Sequence, residues 1–146
     1  MFAGCPIMWS SKLQPLIALS TTEAEYIALS SALREVIAIK NLMDELQGRG
    51  FPIHHPTPKV HCRVFEDNKS CIEIATTHKT RPRTKHLSVR LHHFRSHVVD
   101  RTISIEHIST KEQIADMFTK PLPKDQFEHL REQLMCWPSV ARREGV

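Results

Sequence analysis

The chain has 146 residues, of which 40% are hydrophobic and 25% are charged, and this suits one globular domain with a buried core. Its formal net charge of +4 favours an acidic partner. It has no apolar run long enough to span a membrane and no secretory signal at its start, so we expect a protein that is not secreted and whose four cysteines are reduced.

Hydrophobic periodicity changes between helical and strand spacing along the chain, which predicts both kinds of element. The clearest element is a long helix, because apolar residues recur at steps of three and four from Tyr26 to Leu46. In chain order, the predicted elements are a β-hairpin over 1–19, this helix over 23–47, a loop over 48–58, a strand over 60–65, a helix over 70–77, a basic loop over 79–85, a helix over 87–99, a strand over 102–108, helices over 110–118 and 126–135, and a frayed tail after residue 137.

Three acidic residues, Glu25, Asp67 and Asp116, lie in separate segments that each present a carboxylate. Carboxylates gathered from distant parts of a chain are what a magnesium-dependent phosphodiesterase site requires. Asp67 follows a strand and precedes a helix, which suits a turn or N-cap as well as a ligand site at the carboxyl end of a strand. Asp116 is predicted in mid-helix, where a solvated face is the ordinary interpretation.

Glu25 also has a structural interpretation. It completes the capping-box pattern that begins at Thr22, and such a box alone explains an acidic residue at this position. Ser20 and Glu23 fit the same pattern. One of the two glutamates is therefore spare, and the choice between them stays open at this point.

Five segments together closely resemble the ribonuclease H domain at the end of copia-type retrotransposon polyproteins. The likeness covers nearly all of residues 5–135, and the order and spacing of the segments also fit. The matching segments are 9–14 (WSSKLQ), 19–29 (LSTTEAEYIAL), 66–70 (EDNKS), 83–86 (RTKH) and 112–123 (EQIADMFTKPLP). This agreement is far more specific than any single motif.

The resemblance implies a ribonuclease H-like α/β fold over residues 1–136, a mixed sheet with flanking helices; we expect a disordered tail over 137–146. It implies hydrolysis of the RNA strand of RNA–DNA hybrids during reverse transcription, with two Mg²⁺ or Mn²⁺ ions. Glu25, Asp67 and Asp116 match the family's second, third and fourth acidic residues, which makes them the expected catalytic metal ligands. The implied partners are an RNA–DNA hybrid and the upstream reverse transcriptase part of the polyprotein, in a cytoplasmic virus-like particle or in the nucleus, without a membrane.

The family's first catalytic aspartate, which bridges both metal ions, has no counterpart in this chain. In the family it lies on a first central strand, upstream of the segment that matches Trp9. Here the first aspartate is Asp44, late in the long helix. We therefore expect a domain that is truncated at its N-terminus and lacks the first strand or strands, with an exposed sheet edge, incomplete metal binding and impaired hydrolysis.

Positive charge is concentrated in residues 78–101, which hold seven Lys or Arg, five His and one acidic residue. This favours a surface that contacts phosphates, although a solvated helix face with a loop is the alternative. His93 and His97 are spaced for a shared metal, but no Cys or acidic partner accompanies them at a recognisable spacing. The predicted nucleic-acid-binding residues are Asn68, Lys79, Arg81, Arg83, Lys85, His86 and Arg90.

Two further functions stay open from the sequence. The chain is a candidate for a non-catalytic nucleic-acid-binding remnant that uses residues 78–101, and also for a folded relic with no biochemical role. Nucleic-acid binding that weakens steeply with salt distinguishes the first of these from the second.

Overall fold

The computed structural model describes residues 6–52, 61–77 and 92–135. The chain divides into two compact units. We call Gln14–His107 the sheet unit, and Met1–Leu13 with Ile108–Val146 the terminal unit. The single domain predicted over 1–136 stays a prediction, and the tail predicted over 137–146 lies outside the described residues.

The sheet unit contains three helices and two strands among its described residues. They are α1 (Thr21–Gly48), β1 (Cys62–Glu66), α2 (Lys69–Thr76), α3 (Arg95–Val99) and β2 (Ile103–His107). The terminal unit contains two 3-10 helices, Thr110–Glu112 and Ile114–Phe118, followed by α4 (Lys124–Met135). None of the helices in the described part of the chain is both long enough and apolar enough to cross a bilayer.

The two strands form a parallel pair. Cys62 lies opposite Ile103, and the register continues to Glu66 opposite His107. A parallel pair needs a long crossover connection, and here that connection includes α2 and α3. The result is a mixed α/β architecture with a small parallel sheet and flanking helices, which is compatible with a ribonuclease H-like fold and confirms the predicted fold class.

The core of the sheet unit forms around the apolar stripe of α1. Tyr26, Leu29 and Leu33 are at most 5% exposed, as the helical periodicity predicts. They pack in one cluster with residues from α2, from β2 and from the segment before α3. The buried members are Tyr26, Ile27, Leu29, Leu33, Cys71, Ala75, Phe94 and Ile103.

Three predicted elements differ from the structure. The hairpin over 1–19 is wrong for its described part, because residues 6–19 contain no strand. The helix over 87–99 is α-helical only at Arg95–Val99 among the described residues, and 87–91 lie outside them. The helix over 110–118 is instead two 3-10 helices, because the extended backbone of Gln113 interrupts it.

Candidate functional site

The first turn of α1 is capped by Ser20 and Glu23. The Ser20 hydroxyl oxygen accepts the backbone N–H of Glu23 at 3.2 Å, and the Glu23 carboxylate accepts the backbone N–H of Leu19 at 2.8 Å. The first bond satisfies a donor that the helix start leaves without an intrahelical partner. The second ties the residue before the cap to the first turn of the helix. The capping interpretation of Glu25 is therefore wrong, since the helix start uses Glu23. Glu25 lies half-buried two residues further along the helix.

Three polar residues, Glu66, Asp67 and Asn68, connect β1 to α2. Glu66 is 6% exposed, and its carboxylate accepts the backbone N–H of Asn68 at 3.0 Å. The side-chain oxygen of Asn68 accepts the backbone N–H of Cys71 at 3.1 Å, which makes Asn68 the N-cap of α2. The N-cap interpretation of Asp67 is therefore wrong. Asp67 lies half-buried in the bend just after β1, at the carboxyl end of the strand.

Glu25, Glu66 and Asp67 share one electrostatic environment, which we call the acidic patch. Burial raises the pKa of Glu66, and the negative charges of Glu25 and Asp67 raise it further, although the N–H of Asn68 acts to lower it. A carboxylate raises the pKa of a second carboxyl group when the two lie near each other. The structure thus brings Glu25 of α1 and Asp67 of the β1–α2 bend, two of the predicted site residues, close to one buried carboxyl group.

The thiol of Cys71 completes this patch. Burial raises the pKa of Cys71, and the charges of Glu66 and Glu25 raise it further. The thiol is therefore protonated at neutral pH, and it interacts with the carboxyl group of Glu66. It supplies a neutral donor to a carboxylate that has little access to water.

Glu66 is not among the site residues predicted from the sequence. The sequence signal that points to Glu66 is the alternation of the strand, in which Cys62 and Val64 face inward and Arg63 and Phe65 face outward. Continuing that alternation by one step places Glu66 on the inward side. An acidic residue on the inward face at a strand end is unusual enough to mark a candidate site.

Asp116 belongs to the terminal unit and lies in the 3-10 helix Ile114–Phe118. It is 6% exposed, so the solvated-face interpretation is wrong. One carboxylate oxygen, Oδ1, is 2.8 Å from the ammonium of Lys120. The other, Oδ2, is buried and has no hydrogen-bond partner. A buried carboxylate oxygen without a partner is costly and calls for an explanation.

The chemistry of these side chains suits a hard divalent cation. Carboxylate oxygens are the ligands that Mg²⁺ and Mn²⁺ prefer, and Oδ2 of Asp116 is a buried acceptor that a cation would satisfy. Within residues 6–52, 61–77 and 92–135, however, no group of three or more His, Cys, Asp or Glu side chains is arranged to hold a metal ion. The donors fit the ion, but the described side chains do not form a complete coordination shell.

A second polar contact in the sheet unit joins Tyr26, the neighbour of Glu25, to His92. The Tyr26 hydroxyl and Nδ1 of His92 are hydrogen-bonded, and the two rings meet edge to face. Burial lowers the pKa of His92, and the Arg95 guanidinium lowers it further. His92 is therefore neutral at pH 7, and its Nδ1 can accept a hydrogen bond from the Tyr26 hydroxyl. No sequence motif predicts this contact.

Most of the predicted nucleic-acid-binding residues lie outside the described residues. These are Lys79, Arg81, Arg83, Lys85, His86 and Arg90. Asn68 is described, and its side-chain oxygen has a structural role as the cap of α2. Its contact with nucleic acid stays a prediction.

Comparison with known proteins finds retrotransposon polyproteins among the relatives of this chain. The chain is 40% identical over 131 residues to the Retrovirus-related Pol polyprotein from transposon TNT 1-94 of Nicotiana tabacum, which covers 90% of this chain and 9% of that protein. It is 33% identical over 129 residues to the Retrovirus-related Pol polyprotein from transposon RE2 of Arabidopsis thaliana, covering 88% of this chain and 8% of that protein.

A more distant relative is the Transposon Ty1-NL2 Gag-Pol polyprotein of Saccharomyces cerevisiae. It is 31% identical over 116 residues, which are 79% of this chain and 6% of that protein. The chain thus spans less than a tenth of the length of these curated relatives. No protein-family model and no solved structure matches the chain.

Proposed function

Homologues of this chain are retrotransposon Pol polyproteins, and from that premise we propose that the chain is the ribonuclease H segment of such a polyprotein. The proposed reaction is hydrolysis of the RNA strand of an RNA–DNA hybrid during reverse transcription. The proposed catalytic metal ligands are Glu25, Asp67 and Asp116. The remainder of the polyprotein, including its reverse transcriptase part, is the proposed protein partner.

The observation that carries this proposal is the acidic patch. Ser20 and Asn68 cap α1 and α2, and the glutamate that supports the α1 cap is Glu23. Helix capping therefore does not account for Glu25 or Asp67. Neighbouring carboxylates that raise the pKa of a buried third one cost stability. Such clusters of perturbed groups concentrate at functional sites. A site that binds cations and phosphates accounts for this cost better than a purely structural role.

The chain's own residues have defined tasks in this proposal. A bound Mg²⁺ supplies an activated water and neutralises charge on the scissile phosphate. The bond from Asn68 N–H to the Glu66 carboxylate closes the bend on both sides of Asp67 and so orients Asp67. The capping of α1 by Ser20 orders the turn that precedes Glu25. These contacts hold the two carboxylates before any ion arrives.

We propose that the 146-residue chain alone hydrolyses hybrids weakly. No group of three candidate metal ligands is assembled in the part of the chain that the structure describes, and the sequence has no acidic residue before Glu23. Fewer ligands reduce cation affinity, because each carboxylate contributes charge and coordination. Weak occupancy lowers the rate of a reaction that depends on the ion.

The test is cleavage of an end-labelled RNA–DNA hybrid by the purified chain in Mg²⁺ or Mn²⁺. We expect slow cleavage that chelation stops and that Asp67→Asn reduces by roughly a hundredfold or more, as for loss of a principal catalytic group. Asp125→Asn, which removes an exposed carboxylate from α4, is the matched control and should leave the rate unchanged. Cleavage that is indifferent to Asp67→Asn would contradict the assignment.

A non-catalytic nucleic-acid-binding role is the second candidate, and the missing three-ligand group is the observation that favours it. In that case the parent chain binds the hybrid without cleaving it. Binding should weaken steeply as salt rises and should survive Asp116→Asn. Absence of both cleavage and salt-sensitive binding would contradict both candidates.

A further inference from the structure

The turn that follows the second 3-10 helix places a lysine over a buried aspartate. The backbone carbonyl of Asp116 accepts the N–H groups of Thr119 and Lys120, at 3.1 and 2.8 Å. These bonds fold the chain back by one turn. The Lys120 ammonium therefore reaches Oδ1 of Asp116, at 2.8 Å.

The two members of this ion pair differ in their access to water. The Asp116 side chain is 8% exposed, while that of Lys120 is 47% exposed. A buried carboxylate is unfavourable without a counter-charge, so Lys120 stabilises Asp116 where it lies. The half-exposed lysine stem can swing its ammonium into solvent, whereas the aspartate has no comparable freedom.

We propose that Lys120 is a built-in counter-ion that holds the Asp116 carboxylate in the metal-free chain and competes with a divalent cation for it. The inference rests on the proposed role of Asp116 as a metal ligand. The ammonium occupies Oδ1, and the unpartnered Oδ2 leaves the carboxylate only half satisfied. A cation that binds Asp116 offers more charge than the lysine, and Lys120 then moves into solvent. Lys120 is thus a positioning residue that sets the cation affinity of Asp116.

Competition of this kind makes two opposite predictions for removal of the ammonium. Without metal, Lys120→Met leaves a buried carboxylate with no counter-charge, so the thermal midpoint should fall. With metal, the cation no longer displaces a competitor, so its affinity should rise by about fivefold, the scale of one partly exposed ion pair. A purely structural lysine would lower the midpoint without tightening the metal.

The experiment measures Mn²⁺ binding by titration calorimetry, and thermal unfolding with and without Mn²⁺, on the full chain. The matched control is Lys124→Met. Lys124 lies in the same unit, 4.0 Å from Glu128 in an exposed pair of the same sequence spacing, so its loss changes net charge equally. Lys120→Gln, which keeps a donor for Asp116, is the second variant and serves if Lys120→Met fails to fold.

Support consists of tighter Mn²⁺ binding and a larger Mn²⁺-induced rise in thermal midpoint for the Lys120 variants than for the parent or Lys124→Met. If the parent, Lys120→Met, Lys120→Gln and Lys124→Met bind Mn²⁺ with equal affinity, and Asp116→Asn weakens that binding, the counter-ion role is wrong. The proposed function then still stands. Mn²⁺ binding that is absent, or indifferent to Asp116→Asn, overturns both.

Discussion

Glu66 and Cys71 are a buried carboxylate and a fully buried thiol that interact electrostatically within the sheet unit. The thiol is neutral, so it relieves the carboxylate without neutralising it. Glu25 and Asp67 add negative charge to the same place. The sheet unit therefore carries an electrostatic cost at the end of β1, and that cost has consequences that solution experiments can measure.

Replacing Glu66 by glutamine should stabilise the chain at neutral pH. The folded-state pKa of Glu66 is raised, so its ionised form disfavours the fold: the parent is relatively most stable below the unfolded pKa and loses stability as pH rises through the folded pKa. Glu66→Gln keeps an acceptor for the N–H of Asn68 and should gain on the order of 1 kcal/mol at pH 7. The gain should vanish near pH 4. Urea unfolding at both values checks this, with the exposed Glu132→Gln as control.

Replacing Glu25 by glutamine should lower the pKa of Glu66. The Glu25 charge is one of the causes that raise it, and an uncharged side chain of the same shape removes that cause. A carbon-detected NMR titration of the Glu66 carboxyl group measures the effect directly. Glu35→Gln removes an exposed charge from the same helix and should leave the titration in place. Equal curves for parent and Glu25→Gln would mean that Glu25 does not lie in the acidic patch.

The start of α1 should depend on Ser20 and hardly at all on Thr22. Ser20→Ala removes the hydroxyl that accepts the Glu23 N–H, and loss of an N-cap costs about 1 kcal/mol. Thr22→Ala in the first turn should cost much less, since alanine is the better helix former there. Chemical denaturation of the two variants compares them. If Thr22→Ala proves the more costly, Thr22 and Glu25 form the working capping box instead.

Acidification below neutral pH should weaken the contact between Tyr26 and His92. The pKa of His92 is lowered by burial and by Arg95, so its neutral form is favoured in the fold. For a lowered histidine pKa, stability is fully present above the unfolded value and is lost as pH falls below it and through the folded pKa.

His92→Gln keeps an acceptor for the Tyr26 hydroxyl and cannot titrate. Its thermal midpoint should therefore fall less than that of the parent between pH 7.5 and 5, by roughly a few degrees. The half-buried His97, which also belongs to the sheet unit, provides the control variant His97→Gln. Parallel falls in the parent and His92→Gln would show that His92 does not carry this pH dependence.

Much of the local structure could be predicted from the sequence. The apolar stripe from Tyr26 to Leu33 predicts α1 because a helix places every third or fourth residue on one face. The strand at β1 was also predicted, but its ends shifted to Cys62–Glu66, since pairing with Ile103–His107 decides where a strand begins and ends. The expected helix over 110–118 failed at Gln113, whose extended backbone interrupts it.

The candidate site likewise has features that the sequence predicts and features that only the structure reveals. The sequence by itself determined the family of the homologues and the candidate carboxylates Glu25, Asp67 and Asp116, because residue order and side-chain chemistry are properties of the chain alone. Only the tertiary structure decided that Glu23, and not Glu25, supports the Ser20 cap of α1. It also decided that Glu66 is a buried member of the acidic patch. The sequence likewise did not predict that Asp116 is buried or that the Lys120 ammonium contacts one of its carboxylate oxygens. Burial and electrostatic coupling depend on which segments, distant in the chain, come within a few ångströms of one another. The order of residues in the sequence does not give these distances between segments.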